Sequence, residues 1–133
     1  MRRLLLALAA TAALAACGSD GGTQAGGPTG KLASLTVTVD NDGAKGSEKP
    51  HELELDCAKP TDSQACGAAA GVSAADLRPT GEDIACTQIY GGPEEATIKG
   101  EIRGESVDAT FTRTNGCEIS RWDRVKALLA EVR

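Results

Sequence analysis

The chain is poor in aromatic residues. Its 133 residues include one Phe, one Trp and one Tyr, at positions 111, 122 and 90. The apolar core of a folded domain must therefore consist mainly of aliphatic side chains. A small aliphatic core stabilises a domain only modestly, so we expect covalent cross-links to contribute much of the stability.

The sequence also lacks the patterns that common hydrolases and zinc proteins use. His51 is the only histidine, and there is no Gly-x-Ser-x-Gly segment, so Ser-His-Asp and Cys-His catalysis are not indicated. No Cys-x-x-Cys segment is present, and His51 alone would have to complete a zinc site. The acidic pairs at residues 82–83 and 94–95 are typical of solvated turns. We therefore predict neither an enzyme nor a protein that binds a metal or cofactor.

The N-terminal segment is predicted to be a lipoprotein signal peptide. Arg2 and Arg3 precede an apolar stretch, residues 4–13, that is too short to span a bilayer. Small residues then lead to Cys17, as in a bacterial lipobox. The pattern predicts removal of residues 1–16 and attachment of a diacylglyceryl group and palmitate-type acyl chains at Cys17. A secretory signal with an incidental cysteine is the alternative.

A tether and a single domain are predicted to follow. Residues 18–30 contain six glycines in thirteen positions and show no apolar period, which is typical of a flexible coil about 20 Å long. The chain thus divides into a signal peptide (1–16), a lipidated tether (17–31) and a domain (32–133). We expect an extracytoplasmic lipoprotein whose lipid anchor holds the domain close to the cell membrane.

The charge of the processed chain excludes some classes of partner. Removing Arg2 and Arg3 from the 14 basic residues leaves 12 against 19 acidic residues, a net charge of −7. A strongly acidic domain is not suited to bind nucleic acid or anionic lipid headgroups. The lipid anchor is therefore the only membrane contact that we predict.

Four segments show the period of two that is typical of half-buried strands. Apolar residues alternate with Thr over 35–39 and with acidic residues over 52–56. Two further strands, residues 96–102 and 106–112, flank a predicted turn at residues 103–105. The connection after the first strand includes Asp40-Asn41-Asp42-Gly43, which resembles the start of an EF-hand calcium loop. The residues that follow do not continue the EF-hand pattern, so we predict a solvated connection instead.

Helical spacing is present in two regions. A short helix is predicted over residues 63–70 with Thr61 or Asp62 as its cap, and Ser73 with Asp76 forms a second capping pattern. Apolar residues three and four apart from Ile119 to Val132 predict an amphipathic helix that begins at Asn115 or Ser120. Packing on the sheet is the favoured position of this helix. A position on the membrane surface is the alternative, because Arg121, Arg124 and Lys126 are basic.

Residues 81–90 combine a polar turn with a short segment that favours extended backbone and carries one cysteine. Gln88 would project from this stiff segment, and Cys86 could fasten it to the rest of the domain. Gly91-Gly92-Pro93 ends the segment with turn residues. The alternative interpretation is an ordinary strand with a structural disulfide.

Residues 32–119 resemble the subtilisin inhibitor-like family of secreted actinobacterial serine-protease inhibitors. The matching segments are Leu-Thr-Val-Thr-Val at 35–39, Glu-Leu-Glu-Leu-Asp-Cys-Ala-Lys-Pro at 52–60, Gly-Glu-Asp-Ile-Ala-Cys-Thr-Gln-Ile-Tyr at 81–90, and Thr-Asn-Gly-Cys-Glu at 114–118. Four cysteines in this order, with a Gly-Glu-Asp turn before the third, make the resemblance fairly specific.

The resemblance implies an α+β fold with two disulfides. The expected architecture is an antiparallel sheet of about four to five strands with two helices on it. The four cysteines other than Cys17 allow three pairings. Of these, the resemblance implies Cys57–Cys66 and Cys86–Cys117. It also implies a possible homodimer.

The resemblance further implies inhibition by substrate mimicry. The bond presented to the protease would be Gln88–Ile89, and the partner would be a subtilisin-like or other serine protease. Asn115 matches a family position that supports the loop by hydrogen bonding. The residues that flank the reactive bond would be Ala85, Cys86, Thr87 and Tyr90.

The chain departs from the family at three places. Gln88 stands where members usually carry Lys, Arg or Met, so a trypsin-type pocket would keep an unpaired aspartate while a subtilisin-type cleft accepts glutamine. The first cysteine loop is shorter than is usual, and the helical pattern continues to Arg133 where members commonly have a last strand. The alternative function is a non-inhibitory envelope lipoprotein that keeps the fold as a binding or structural module.

The lipobox pattern generates the first prediction. Wild-type protein should carry an acylated Cys17 and fractionate with membranes, because a diacylglyceryl group holds a protein firmly at a bilayer. Cys17→Ala should lose the acyl mass in mass spectrometry and leave the membrane fraction. Wild-type protein that is wholly soluble and has no acyl mass would contradict the prediction.

Overall fold

A computed structural model describes residues 30–132. The predicted signal peptide, Cys17 and the tether up to residue 29 lie outside these residues. The described part contains four strands, two α-helices and two short 3-10 turns. In chain order they are β1 (Ala33–Asp40), β2 (His51–Cys57), a 3-10 turn (Pro60–Asp62), α1 (Gln64–Ala70), a second 3-10 turn (Ala74–Leu77), β3 (Glu95–Ile102), β4 (Glu105–Phe111) and α2 (Gly116–Leu129).

The four strands form one antiparallel sheet in the order β2-β1-β3-β4. In the register, Val37 of β1 lies opposite Leu53 of β2 and Ile98 of β3. Alternate residues of each strand point toward one face, as the period of two predicts. The inward-facing buried residues include Ala33, Leu35, Val37, Val39, Leu55, Ala96, Ile98, Ile102, Val107, Ala109 and Phe111. Both helices pack on this face, which confirms the predicted α+β fold.

The opposite face of the sheet is polar, and the two edge strands carry acidic residues. Glu52, Glu54 and Asp56 of β2 are exposed, as the sequence predicted for its outer face. On β4, Asp108 is exposed and its carboxylate lies 3.6 Å from the Lys99 ammonium on β3. Such exposed ion pairs contribute little to stability.

Helix α2 packs on the sheet, as the favoured interpretation of its apolar stripe predicted. Val125, Leu128 and Leu129 are buried in the same core as Phe111, the only buried aromatic residue among residues 30–132. Asn115 is the N-cap, which was one of the two predicted starting points. In the described part of the chain, no helix combines the length and apolar character that a bilayer crossing needs.

The predicted cap of α1 is wrong by one or two residues. The Ser63 hydroxyl accepts a hydrogen bond from the Cys66 N–H (3.0 Å) and is the true cap. The Asp62 carboxylate is used elsewhere, because it accepts hydrogen bonds from the N–H groups of Ala58 and Lys59 (2.8 and 2.9 Å) and so closes the turn after β2. The Cys57–Cys66 disulfide then ties β2 to α1 within the core.

The turn between β3 and β4 contains an unusual backbone conformation. Arg103 and Gly104 both have positive φ angles, 49° and 81°, which suit a two-residue hairpin turn. Positive φ is costly for a residue with a Cβ atom. The Arg103 guanidinium compensates by donating hydrogen bonds to the carbonyls of Ala70 (2.6 Å), the last residue of α1, and Val72 (2.9 Å), two residues beyond it. One side chain thus ties the hairpin to the segment that leaves α1.

This geometry predicts a difference between two substitutions of Arg103. Both Arg103→Ala and Arg103→Asn remove the two hydrogen bonds, but Asn tolerates positive φ and forms the favourable Asn-Gly turn. Arg103→Ala should therefore lower the free energy of unfolding by about 1 kcal/mol more than Arg103→Asn does. Urea unfolding measures both values. Equal losses would show that backbone strain at this turn does not affect stability.

Candidate functional site

The segment that the sequence singled out lies in an exposed loop. Residues 78–94, between the second 3-10 turn and β3, contain neither helix nor strand. The alternative interpretation of an ordinary strand is therefore not supported, because residues 84–90 do not pair with the sheet. The backbone of the loop is instead held by the start of α2 and by the segment that precedes it.

The first attachment of the loop is a disulfide. Cys86 is bonded to Cys117 in the first turn of α2, with 5.4 Å between their Cα atoms. The pairing agrees with the one that the family resemblance implied. The two cysteines are separated by 31 residues, and cross-linking a segment of this length stabilises a protein by roughly 3–4 kcal/mol in the chain-entropy model.

The second attachment lies one residue further along the loop. The Gly116 N–H donates a hydrogen bond to the Thr87 carbonyl (2.9 Å). A Cβ atom at position 116 would overlap the Thr87 hydroxyl oxygen. The residue before Gln88 is therefore held against the N-terminus of α2, and a side chain at position 116 would require the Thr87 hydroxyl to move.

The third attachment lies after the candidate bond. The Gly91 N–H donates a hydrogen bond to the Arg113 carbonyl (2.7 Å). A Cβ atom at Gly91 would come within 3.0 Å of the Ile119 side chain, so the backbone here packs directly on α2. The Arg113 guanidinium in turn bonds the carboxylate of Glu94 (2.8 Å) and lies 5.9 Å from the centre of the Trp122 ring. This network braces the end of the loop.

Gln88, Ile89 and Tyr90 span the interval between the second and third attachments. Within residues 30–132, the backbone groups of these three residues form no hydrogen bond. The Gln88 side chain is exposed but does not project freely, because its amide nitrogen donates to the Cys86 carbonyl (3.1 Å). The attachments on both sides thus restrain the Gln88–Ile89 bond, while the N–H and C=O groups of residues 88–90 are free to form hydrogen bonds with a partner.

The loop also carries exposed apolar side chains. Ile84, Ile89 and Tyr90 are 58%, 54% and 68% exposed, and they are the only large hydrophobic residues that are exposed in the part of the chain that the structure describes. All three lie within the seven residues 84–90, and exposed apolar groups concentrated in one part of a surface are typical of interaction sites. This loop is the strongest candidate for protein recognition.

Asn115 occupies the position expected for loop support, but its oxygen has a different partner. The side-chain carbonyl accepts a hydrogen bond from the Glu118 N–H (3.0 Å) and caps α2. The direct bond to the loop comes from the next residue, Gly116. Sequence reasoning named Gly91 only as a turn residue and Gly116 only as part of the 114–118 segment, and it gave neither glycine a role in holding the loop.

The remaining candidate residues do not form a second site. His51 is exposed at the start of β2. Within residues 30–132, no group of three or more His, Cys, Asp or Glu side chains is arranged to hold a metal ion. Comparison with protein-family models, curated proteins and solved structures finds no match to this chain. The family resemblance therefore depends on the residues quoted above.

The contact between Gly116 and Thr87 generates the next prediction. Gly116→Ala forces the Thr87 hydroxyl to move and should destabilise the domain by about 1–2 kcal/mol, as overpacking does. Adding Thr87→Ala removes the overlap, so the double variant should recover about 1 kcal/mol relative to the sum of the single changes. Chemical unfolding of the four proteins gives this coupling.

Gly67→Ala serves as the control because position 67 is helical and its nearest obstacle, the Pro60 carbonyl oxygen, is 3.5 Å from the added Cβ. This change should be neutral or stabilising, since alanine favours helix relative to glycine. Additive effects of Gly116→Ala and Thr87→Ala would contradict the proposed contact.

Proposed function

We propose that the protein inhibits serine endopeptidases by substrate mimicry at the Gln88–Ile89 bond. The protein is then an inhibitor rather than an enzyme, and Cys17 carries the lipid that tethers it to the cell envelope. The observation that carries the proposal is the placement of this bond between backbone attachments at Thr87 and Gly91. A loop that mimics a substrate must expose the reactive bond to the protease and still restrain the backbone around it.

Binding would use the unpaired backbone of residues 88–90. Serine proteases bind substrates in extended form through main-chain hydrogen bonds, and a free N–H and C=O pattern suits such pairing. The Gln88 side chain would leave the Cys86 carbonyl to enter the specificity pocket. Breaking this exposed hydrogen bond costs about 0.5–1.5 kcal/mol at most, because water or the pocket replaces it. Little further ordering of the loop is needed, which favours affinity.

The attachments also explain how cleavage could be resisted. If the protease attacked the Gln88 carbonyl, the acyl side would stay fixed through Cys86 and Thr87. The new Ile89 amine would stay close to the ester, because Gly91 remains bonded to the Arg113 carbonyl. A nucleophile held beside an acyl group reacts at a high effective concentration, so religation competes with hydrolysis.

The side chain of Gln88 favours subtilisin-type targets. A trypsin-type pocket contains a buried aspartate that needs a cation, and a neutral amide leaves this charge unpaired. A broad subtilisin-type cleft has no such requirement. Ile89 and Tyr90, exposed on the C-terminal side of the bond, would add apolar contact area on the far side of the catalytic serine.

Substitutions of Gln88 test this proposal. Gln88→Lys supplies the missing cation, so the inhibition constant for trypsin should fall by at least a hundredfold, equivalent to about 3 kcal/mol. Gln88→Pro removes an N–H group and fixes φ, so inhibition of subtilisin should be lost. Inhibition constants against both proteases measure the effects.

Thermal unfolding of the same variants provides the control. The Gln88→Lys melting temperature should match that of wild type, because Gln88 is exposed and makes only one local hydrogen bond. Equal inhibition constants for folded wild type and both variants would show that Gln88–Ile89 is not the reactive bond. If none of the three folded proteins inhibited either protease, the protein would be a non-inhibitory binding or structural module.

A further inference from the structure

A groove lies beside the part of the loop that precedes the Gln88–Ile89 bond. Its volume is about 530 Å³. Loop residues form one wall and α2 forms the other. The residues that matter for its chemistry are Ile84, Ala85, Thr87, Arg78, Arg121 and Arg124. Three arginines line this groove, and no acidic side chain does.

Arg121 forms a rigid part of the groove. It is 6% exposed, and its guanidinium donates to the carbonyls of Arg78 (3.0 Å) and Leu77 (3.1 Å) and to the Glu118 carboxylate (2.7 Å). It also lies 4.7 Å from the centre of the Phe111 ring. The charge of Arg121 is therefore balanced by Glu118, and its main effect is to fix the backbone that carries Arg78.

The other two arginines are exposed and only loosely paired. The Arg78 guanidinium lies 3.6 Å from the Glu105 carboxylate, with both side chains more than half exposed. Such a pair is weak in water and can exchange partners. The pKa of Asp76 is held below its usual value mainly by the Ser73 hydroxyl and N–H, with a smaller effect from Arg124. Arg124 thus acts on the Asp76 carboxylate through space, and within residues 30–132 it forms no hydrogen bond or ion pair with a carboxylate.

The charge of this groove is opposite to that of the chain around it. The predicted processed chain has a net charge of −7, from 12 basic and 19 acidic residues. Because Glu118 balances Arg121, the cations that a partner can reach are Arg78 and Arg124, and two exposed arginines on an acidic domain are complementary to an acidic partner. Arginine is also enriched in protein interfaces, where its planar group binds carboxylates.

We propose that this groove binds acidic side chains on the rim of the target protease, next to the subsites that receive the residues before Gln88. The inference rests on the proposed inhibitory function and narrows the partner to serine proteases with an acidic rim at this place. Charge complementarity of this kind acts mainly on the rate of association, since it guides the two proteins together before close contact.

The test compares charge reversals in the full-length chain. Arg124→Glu and, separately, Arg78→Glu change the groove. Lys126→Glu is the matched control, because Lys126 is also exposed on α2 but does not line the groove. Association rates are measured with a subtilisin-type protease that has acidic residues on this rim and with its variant carrying the corresponding amides.

We expect Arg124→Glu to slow association with the acidic protease tenfold at about 25 mM salt, and Lys126→Glu to change the association rate less than twofold. The difference should vanish with the amide variant of the protease and at about 0.5 M salt. Thermal unfolding should show that all variants are folded. If Arg124→Glu fails to fold, Arg78→Glu decides, because Arg78 lies outside the helices.

The outcomes separate this inference from the proposed function. If wild type inhibits the protease but groove and control variants associate at the same rate, the groove proposal is wrong and the inhibitory function stands. If wild type neither binds nor inhibits any serine protease tested, both proposals are wrong. An equal effect of Arg124→Glu on the acidic and amide forms of the protease also overturns the groove proposal.

Discussion

The packing of α2 against the sheet determines both the core and the exposed loop. Val125 and Leu128 of α2 are fully buried, and Phe111 of β4 lies in the same core. Because this burial fixes the helix axis, it also fixes the first turn, which carries Gly116 and Cys117. The loop is bonded to that turn. A change that shifts the helix within the core would therefore displace the candidate bond, although the two lie in different parts of the domain.

Regular patterns in the sequence predicted the sheet and the long helix because they arise from local periodicity. The alternation of Val and Thr in β1 and the three-and-four spacing in α2 depend only on which face is buried. The family resemblance supplied the cysteine pairing that local patterns leave open. The cap of α1 was misassigned because Asp62 and Ser63 are both residue types that cap helices well. The turn after β2 uses the Asp62 carboxylate, which leaves the Ser63 hydroxyl to cap the helix.

Contacts between distant segments could not be predicted in this way. Arg121 was considered as a surface cation of a basic helix, yet it is buried with carbonyls of Leu77 and Arg78, which are more than 40 residues away. Composition gives no sign of such partners. The same holds for Thr87 and Gly116, whose proximity follows from the disulfide beside them. The sequence indicated which residues form the candidate loop, but it did not indicate the backbone hydrogen bonds that hold the loop in place.

The acidic edge strand β2 has a consequence for self-association. Sheet edges with free N–H and C=O groups tend to extend into intermolecular sheets unless charge or geometry prevents it. Glu52, Glu54 and Asp56 would meet their counterparts if two copies paired along this edge, and like charges placed opposite each other disfavour that arrangement. A continuous eight-stranded sheet through β2 is thereby disfavoured. We therefore expect any stable dimer of this chain to use a surface other than the β2 edge.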